Sequence, residues 1–281
     1  MMKFQLSALL LLVTSYTSFG QLLWKISGNG LNQESYLYGT MHAVPEERFT
    51  VSSTLKQAFE SSKALALEID LNLSLQQQIE IAKDIIIPQG KSLKNYLSTE
   101  DYKKVMGYCL DSLKMKKSKF KKYEKIKPFF ASSMILQEQL GKTVAYDQYF
   151  NEEAKKRSIP VSGLETMQYQ LSTINTISLE EQAEMLVTSL GKEKTEYQAM
   201  LDLYLANDLK GLHDMVISSD MSSDAFTQNF LVKRNQNWIP GIKKMVETQT
   251  SFIAVGAAHL PGETGVIELL KKEGFTVEPV N

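Results

Sequence analysis

Two stretches share one design: Tyr36-Leu37-Tyr38-Gly39-Thr40-Met41-His42 near one end of the chain, and Phe252-Ile253-Ala254-Val255-Gly256-Ala257-Ala258-His259 near the other. Each is an apolar, strand-like run that reaches a glycine and then, three residues later, a histidine. A proline and an acid follow closely in both, as Pro45-Glu46 and as Pro261 with Glu263. The chain has 3 histidines and 15 glycines in 281 residues. Chance would put a glycine three residues ahead of a given histidine about once in twenty, and for two of three on the order of once in a hundred. Glycine lets a strand end in a tight or positive-φ turn and lets backbone approach closely. The two imidazoles are therefore expected at the C-terminal edge of one sheet, where clefts form in proteins of mixed structure.

Working outward, the N-terminal part alternates as strands do. Residues 22–27, a Gly28-Asn29-Gly30 turn and residues 35–38 predict a hairpin. A helix capped by Ser52 or Ser53 is expected to about residue 61, then a strand over 64–70 with Leu65, Leu67 and Ile69 on one face. Apolar residues then recur at helical spacing over 75–87, 102–113, 128–140 and 146–157, interrupted by a strand-like stretch at 158–164. More helix is expected over 179–190, 192–207, 209–217 and 224–247, the last bent or broken before Pro240. A strand at 251–256, a helix at 264–273 starting just beyond Pro261, and a closing strand at 275–279 complete the chain. Strands at both ends around a helical middle predict an α+β fold: a central mixed sheet built by N- and C-terminal strands, with a large helical insertion.

Residues 1–20 read as an export signal. A short positive start precedes an apolar core around 6–13, and Ser18-Phe19-Gly20 supplies small residues before Gln21. The domain is expected over 21–281, periplasmic or secreted, with no span once the signal is removed. Charge is balanced, 31 Lys+Arg against 32 Asp+Glu, which points to no nucleic-acid partner. One run is basic, 114–127, and reads as a solvated helical face or loop, with docking of an acidic partner as the sharper alternative. Cys109 is the only cysteine; it lies in an amphipathic stretch and is expected to be a small buried hydrophobe.

Imidazole serves as a general base near neutral pH and as a ligand for divalent metals. His42 and His259 with strand residue Glu68 would make a two-histidine, one-carboxylate set that suits several divalent ions. Glu165, in Gly163-Leu164-Glu165-Thr166, is an acid just after a strand-like turn. Arg234, beside Asn235, could orient a carboxylate or steady an oxyanion. His213 is expected to be surface or packing. No nucleophile elbow, zinc-protease helix, phosphate-binding loop or dinucleotide fingerprint is present in the sequence.

Seven pieces together resemble the TraB/GumN proteins, related to the Tiki proteases and more distantly to the erythromycin-esterase/ChaN-like superfamily. They are Leu23-Trp24-Lys25-Ile26, the 36–42 motif, Leu67-Glu68-Ile69-Asp70, Tyr146-Asp147, the 163–166 turn, Arg234-Asn235 and Val255 to Leu260. The resemblance implies a catalytic constellation of His42, Glu68, Arg234 and His259, with Glu165 and Asn235 accessory and His42, Glu68 and His259 as metal ligands. It implies a hydrolase cleaving peptide or other amide bonds with a manganese- or cobalt-like ion, as in the Tiki branch. Other branches use histidine without a metal, bind haem iron or block peptide pheromones, so a non-catalytic binder of a peptide or haem in the same cleft is the alternative. Where the family pattern has Leu-Asp this chain has Tyr146-Asp147, and Asp147 is given no role.

Overall fold

A computed structural model describes residues 21–218 and 227–280. The signal expected at 1–20 and the start of the helix expected from residue 224, Phe226 included, lie outside the described residues.

Among the described residues, eight strands occur: β1 (Leu23–Gly28), β2 (Ser35–Thr40), β3 (Val44–Pro45), β4 (Ala64–Ile69), β5 (Thr143–Val144), β6 (Val161–Glu165), β7 (Ser251–Gly256) and β8 (Phe275–Pro279). Six of them form one mixed sheet in the order β6-β4-β7-β2-β1-β8. The expected hairpin is there, pairing Leu23 with Tyr38, and its turn closes through Leu31 N–H donating to Gly28 O at 2.9 Å. The closing strand β8 lies antiparallel to β1.

The decisive feature is that β6, β4, β7 and β2 are neighbours and all parallel. Their C-terminal ends share one edge. Glu165 ends β6, Glu68 lies next to last in β4, and the two Gly-x-x-His turns leave β7 and β2 there, with Thr40 opposite Gly256. Gly39 is required for close approach: a Cβ there would sit 3.1 Å from the Ala257 Cα and Cβ. The two repeated motifs are thus packed against each other, glycine of one on alanine of the other.

Among the described residues, twelve α-helices occur: α1 (Ser53–Ser61), α2 (Leu75–Asp84), α3 (Thr99–Gly107), α4 (Lys117–Tyr123), α5 (Pro128–Leu140), α6 (Tyr146–Arg157), α7 (Met167–Ile174), α8 (Leu179–Ser189), α9 (Glu193–Leu205), α10 (Leu209–Ser218), α11 (Lys233–Thr248) and α12 (Val266–Lys272). Side-chain caps set several starts: Ser52 for α1, Ser98 for α3 and a reciprocal Ser178–Glu181 pair for α8. The helical insertion has its own core, which includes Ile87, Val105, Phe120, Tyr123, Ile135 and Leu186. Cys109 is buried in it, and burial pushes its thiol up to about 11, so it carries no thiolate at neutral pH.

Several expectations need correction. α11 runs through Pro240 without a break. Its buried side carries Trp238, Ile239, Ile242 and Val246, while Pro240 is exposed, so the carbonyl left without a donor faces water. The irregularity lies earlier, in a wide π turn at Gln228–Val232. The helix expected over 102–113 starts three residues earlier, at its Ser98 cap, and loosens into a π turn at Tyr108–Ser112. α12 starts at Val266 rather than just beyond Pro261; its N-cap Gly265 lies against the Pro261 carbonyl, 2.1 Å from where a Cβ would be, so the intervening turn is tight. Helix α7 is absent from the expectations altogether.

Candidate functional site

Helix α11 crosses the shared edge and delivers Arg234, Asn235 and Trp238 from one side, since residues four apart stack on a helix. Arg234 is 1 % exposed. Its Nη2 donates to Glu68 Oε2 and to Glu165 Oε1, both at 2.6 Å, and its Nε donates to Glu165 Oε1 at 2.9 Å. Its Nη1 lies 3.2 Å from His259 Nε2. A guanidinium only donates, so His259 Nε2 must accept. Nδ1 of His259 then carries the proton and donates to Asn235 Oδ1 at 2.6 Å. Asn235 agrees, because its Nδ2 donates to the carbonyls of Thr264 at 2.9 Å and His259 at 3.3 Å. Arg234 therefore fixes the tautomer of His259, and Asn235 fixes its ring plane.

Glu68 accepts from Gly256 N–H at 2.7 Å through Oε1 and from Gln170 Nε2 at 3.1 Å through Oε2. Gly256 is needed there, since a Cβ would stand 3.1 Å from Glu68 Oε1. Burial opposes the charge on Glu68, but the positive neighbours His259, when protonated, and Arg234, together with the Gly256 N–H, hold it down to about 2. Burial pulls the pKa of His259 down to about 3, so its ring is neutral at neutral pH, and Arg234, with the more distant His42, remains as the counter-charge of Glu68. Glu165 is raised by burial despite Arg234 and the Trp238 Nε1–H donated at 3.0 Å.

His42 is different. Its side chain is 66 % exposed and its Nδ1 lies 2.5 Å from Asp147 Oδ2. Desolvation pulls its pKa down, yet the hydrogen bond and charge of Asp147, with the more distant Glu68, lift it to about 9. The second carboxylate oxygen of Asp147 is buried without a partner, as is the Thr40 hydroxyl. His42, Asp147, Glu68, Gln170, Leu67, Ile69 and Leu71 line a pocket of about 190 Å³. A larger hollow lies elsewhere, around Tyr38, Tyr146 and Tyr204, and holds none of these charged groups.

The structure thus gathers Glu68, Glu165, Arg234, Asn235 and His259 into one hydrogen-bonded network. It sets His42 across a pocket from Glu68 rather than beside His259. His213 has the packing place expected of it: it rests behind the His259 turn, with Nδ1 3.4 Å from Ala258 O. Of the pocket residues, Gln170 escapes sequence reasoning, and Asp147, though among the pieces that carry the resemblance, is given no role there. Asp147 is an acid in the first turn of α6, a position with an ordinary helix-dipole explanation. Gln170 rides on α7, whose signals are the Thr166 cap and the apolar pair Leu171 and Ile174.

A divalent ion held by His42, Glu68 and His259 does not fit this arrangement. Arg234 already occupies the cation position between Glu68 and His259, and its Nη1–H takes the His259 Nε2 lone pair that a metal would need. Among the described residues, no three His, Cys, Asp or Glu side chains are grouped to hold a metal.

Together these features define an α+β protein with a charged pocket at the C-terminal edge of four parallel strands. The chain belongs to the TraB/PrgY/gumN family, whose family model matches residues 22–279. It is similar to two proteins of Danio rerio, Metalloprotease TIKI1 (23% identical over 94% of this chain and 64% of that one) and Metalloprotease TIKI2 (20%, over 94% and 62%). It is also similar to Metalloprotease TIKI1 of Xenopus tropicalis, 23% identical over 91% of this chain and 60% of the relative. The chain thus spans less than two thirds of the length of these relatives. No solved structure matches it significantly. Among the described residues, no helix is long and apolar enough to cross a membrane.

Proposed function

We propose that the chain is an exported hydrolase that cleaves peptide or other amide bonds in the pocket between His42 and Glu68. One observation carries the reading: an exposed imidazole, oriented by a half-buried carboxylate, faces an ionised glutamate across a cavity. With Nδ1 directed to Asp147, His42 presents Nε2 to the pocket. Its raised pKa keeps it an imidazolium at neutral pH, able to give a proton to a departing amine. Glu68, aimed by the N–H groups of Gly256, Arg234 and Gln170, keeps lone-pair capacity on Oε1 to take a proton from water as the water oxygen bonds the carbonyl carbon. The C–N bond breaks as His42 protonates the amine, and the water's proton then restores His42. Arg234 and His259 are positioning residues: the guanidinium donates to Glu68 and holds it ionised at the edge of the sheet, and neutral His259, bonded to Arg234, holds the guanidinium in place.

The relatives' name, Metalloprotease, extends to this chain the expectation of a metal ion, which the family resemblance makes manganese- or cobalt-like. His42, Glu68 and His259 as arranged do not fit one, and the proposed reaction uses the chain's own side chains. Export rests on the composition of residues 1–20.

The test is a peptide library assayed with wild type, His42→Ala and His259→Ala, each with added manganese and after chelation. Cleavage by wild type that is lost in His42→Ala supports the proposal; equal cleavage by wild type and both variants overturns it. The alternative, a peptide- or haem-sequestering protein using the same pocket, draws on the low basicity of Glu68. Tight ligand binding with no turnover under either metal condition would favour that alternative.

A further inference from the structure

Helix α2 has 10 residues and none of them is buried. A helix of this length is marginal in water below roughly 12–15 residues unless a face is packed. The Ser74–Gln77 capping box secures its start and nothing more. Leu75 and Ile79, one turn apart on the same side, are 72% and 47% exposed, and Ile86 just past the helix continues the line at 45%.

This apolar line abuts the lysine-rich segment. Ile87 N–H donates to Lys125 O at 2.8 Å, and Lys127 N–H donates to Ile85 O at 2.9 Å. Ile86 and Ile126 form a bridge pair, and Lys125 Nζ donates to Lys91 O at 3.2 Å. Residues 85–127 hold twelve lysines against four acids, a net charge of +8 in a chain whose total is −1. Phe120 and Tyr123 are the buried side of α4, while Lys117, Lys121 and Lys122 are exposed. Among the described residues of this segment only Lys104 and Lys119 join ion pairs.

We propose that this face docks on an anionic lipid surface, with the aliphatic side chains of α2 entering the headgroup boundary and the lysines meeting the charged headgroups. Protruding aliphatic residues beside a dense cationic patch are what such a surface recognises. A protein partner is the poorer fit. Protein interfaces are enriched in arginine and depleted of lysine, whereas 75–127 contains no arginine. Docking would bring the pocket close to the lipid surface, because Leu71, four residues before α2, lines it. The inference does not depend on the pocket being catalytic.

Co-sedimentation of the purified protein tests it, using phosphatidylcholine vesicles and vesicles of phosphatidylcholine mixed equally with phosphatidylglycerol. Lys117→Glu/Lys121→Glu/Lys122→Glu and Leu75→Ser/Ile79→Ser are the variants. All five positions are exposed, and unchanged circular dichroism and melting confirm the fold. Each surface lysine contributes about a fivefold preference, so the triple variant should lose on the order of a hundredfold or more in affinity for the anionic vesicles. The serine variant should lose about tenfold. No preference for anionic vesicles, or a preference that neither variant moves, would overturn the proposal. So would binding of polyglutamate by a protein that ignores the vesicles, which would assign the face to an acidic polypeptide.

Discussion

Replacing Asp147 with Asn keeps the shape of the pair at the pocket mouth and removes its charge. In the native protein the carboxylate, by hydrogen bond and by charge, overcomes the desolvation of His42 and lifts its pKa from the ordinary 6.5 to about 9. Without that carboxylate the lift is lost. A side chain this exposed is little desolvated, Glu68 pulls up and Arg234 pulls down, so His42 should titrate near the ordinary 6.5. At pH 7.5 the protonated fraction would drop from about 97 % to about 10 %. The assay is an NMR titration of the ring Cε1–H signals, which three histidines keep assignable. His42→Gln identifies one signal and His213→Gln another. Hydrolysis should follow the same curve: its alkaline limb, near pH 9 in wild type, should move below pH 7 in Asp147→Asn. If His42 titrates near 6.5 in the wild type, or identically in both proteins, the account of this pair is wrong.

Other predictions concern the buried network and its pH dependence. Arg234→Met leaves Glu68 and Glu165 facing each other without a counter-charge and should cost about 3–5 kcal/mol in urea denaturation; Glu165→Gln added to it should recover part of the loss. Asn235→Ala strands the Nδ1–H of a buried imidazole and should cost about 1–3 kcal/mol, with a new His259 ring orientation in a crystal structure. Stability should peak near pH 6.5. Below it the unfolded chain takes up a proton that native His259 refuses down to about 3, and above it the unfolded chain loses a proton that native His42 keeps up to about 9. Urea midpoints across pH 4.5 to pH 9 should therefore fall on both sides, and Asp147→Asn should abolish only the alkaline fall.

The repeated Gly-x-x-His motif made the fold legible because its physical demands are local. A strand that must end in a close turn needs Gly39 and Gly256, and the pairing of β2 with β7 follows once both turns share an edge. The network of Glu68, Arg234 and His259 could be named from sequence, but its hydrogen bonding could not. Whether Arg234 meets a carboxylate or fills the place of a cation depends on how α11 lies across the sheet, which no periodicity encodes. Asp147 stood among the pieces that carry the resemblance, but its role was hidden for another reason. An acid in the first turn of a helix already has a reason to be there, so its second task, orienting His42, leaves no separate trace. Pro240 misled in the opposite direction. The breaking rule assumes that the lost hydrogen bond matters, and on the wet side of a well-packed helix it matters little.

The most direct test of the central claim follows the water oxygen itself. The protein is incubated with a peptide library in ¹⁸O-labelled water, and new C-termini are read by mass spectrometry. Wild type is expected to generate labelled termini, and His42→Gln to lower them by roughly a hundredfold or more. Labelled termini that persist undiminished in His42→Gln would contradict the account, and so would their absence from the wild-type reaction.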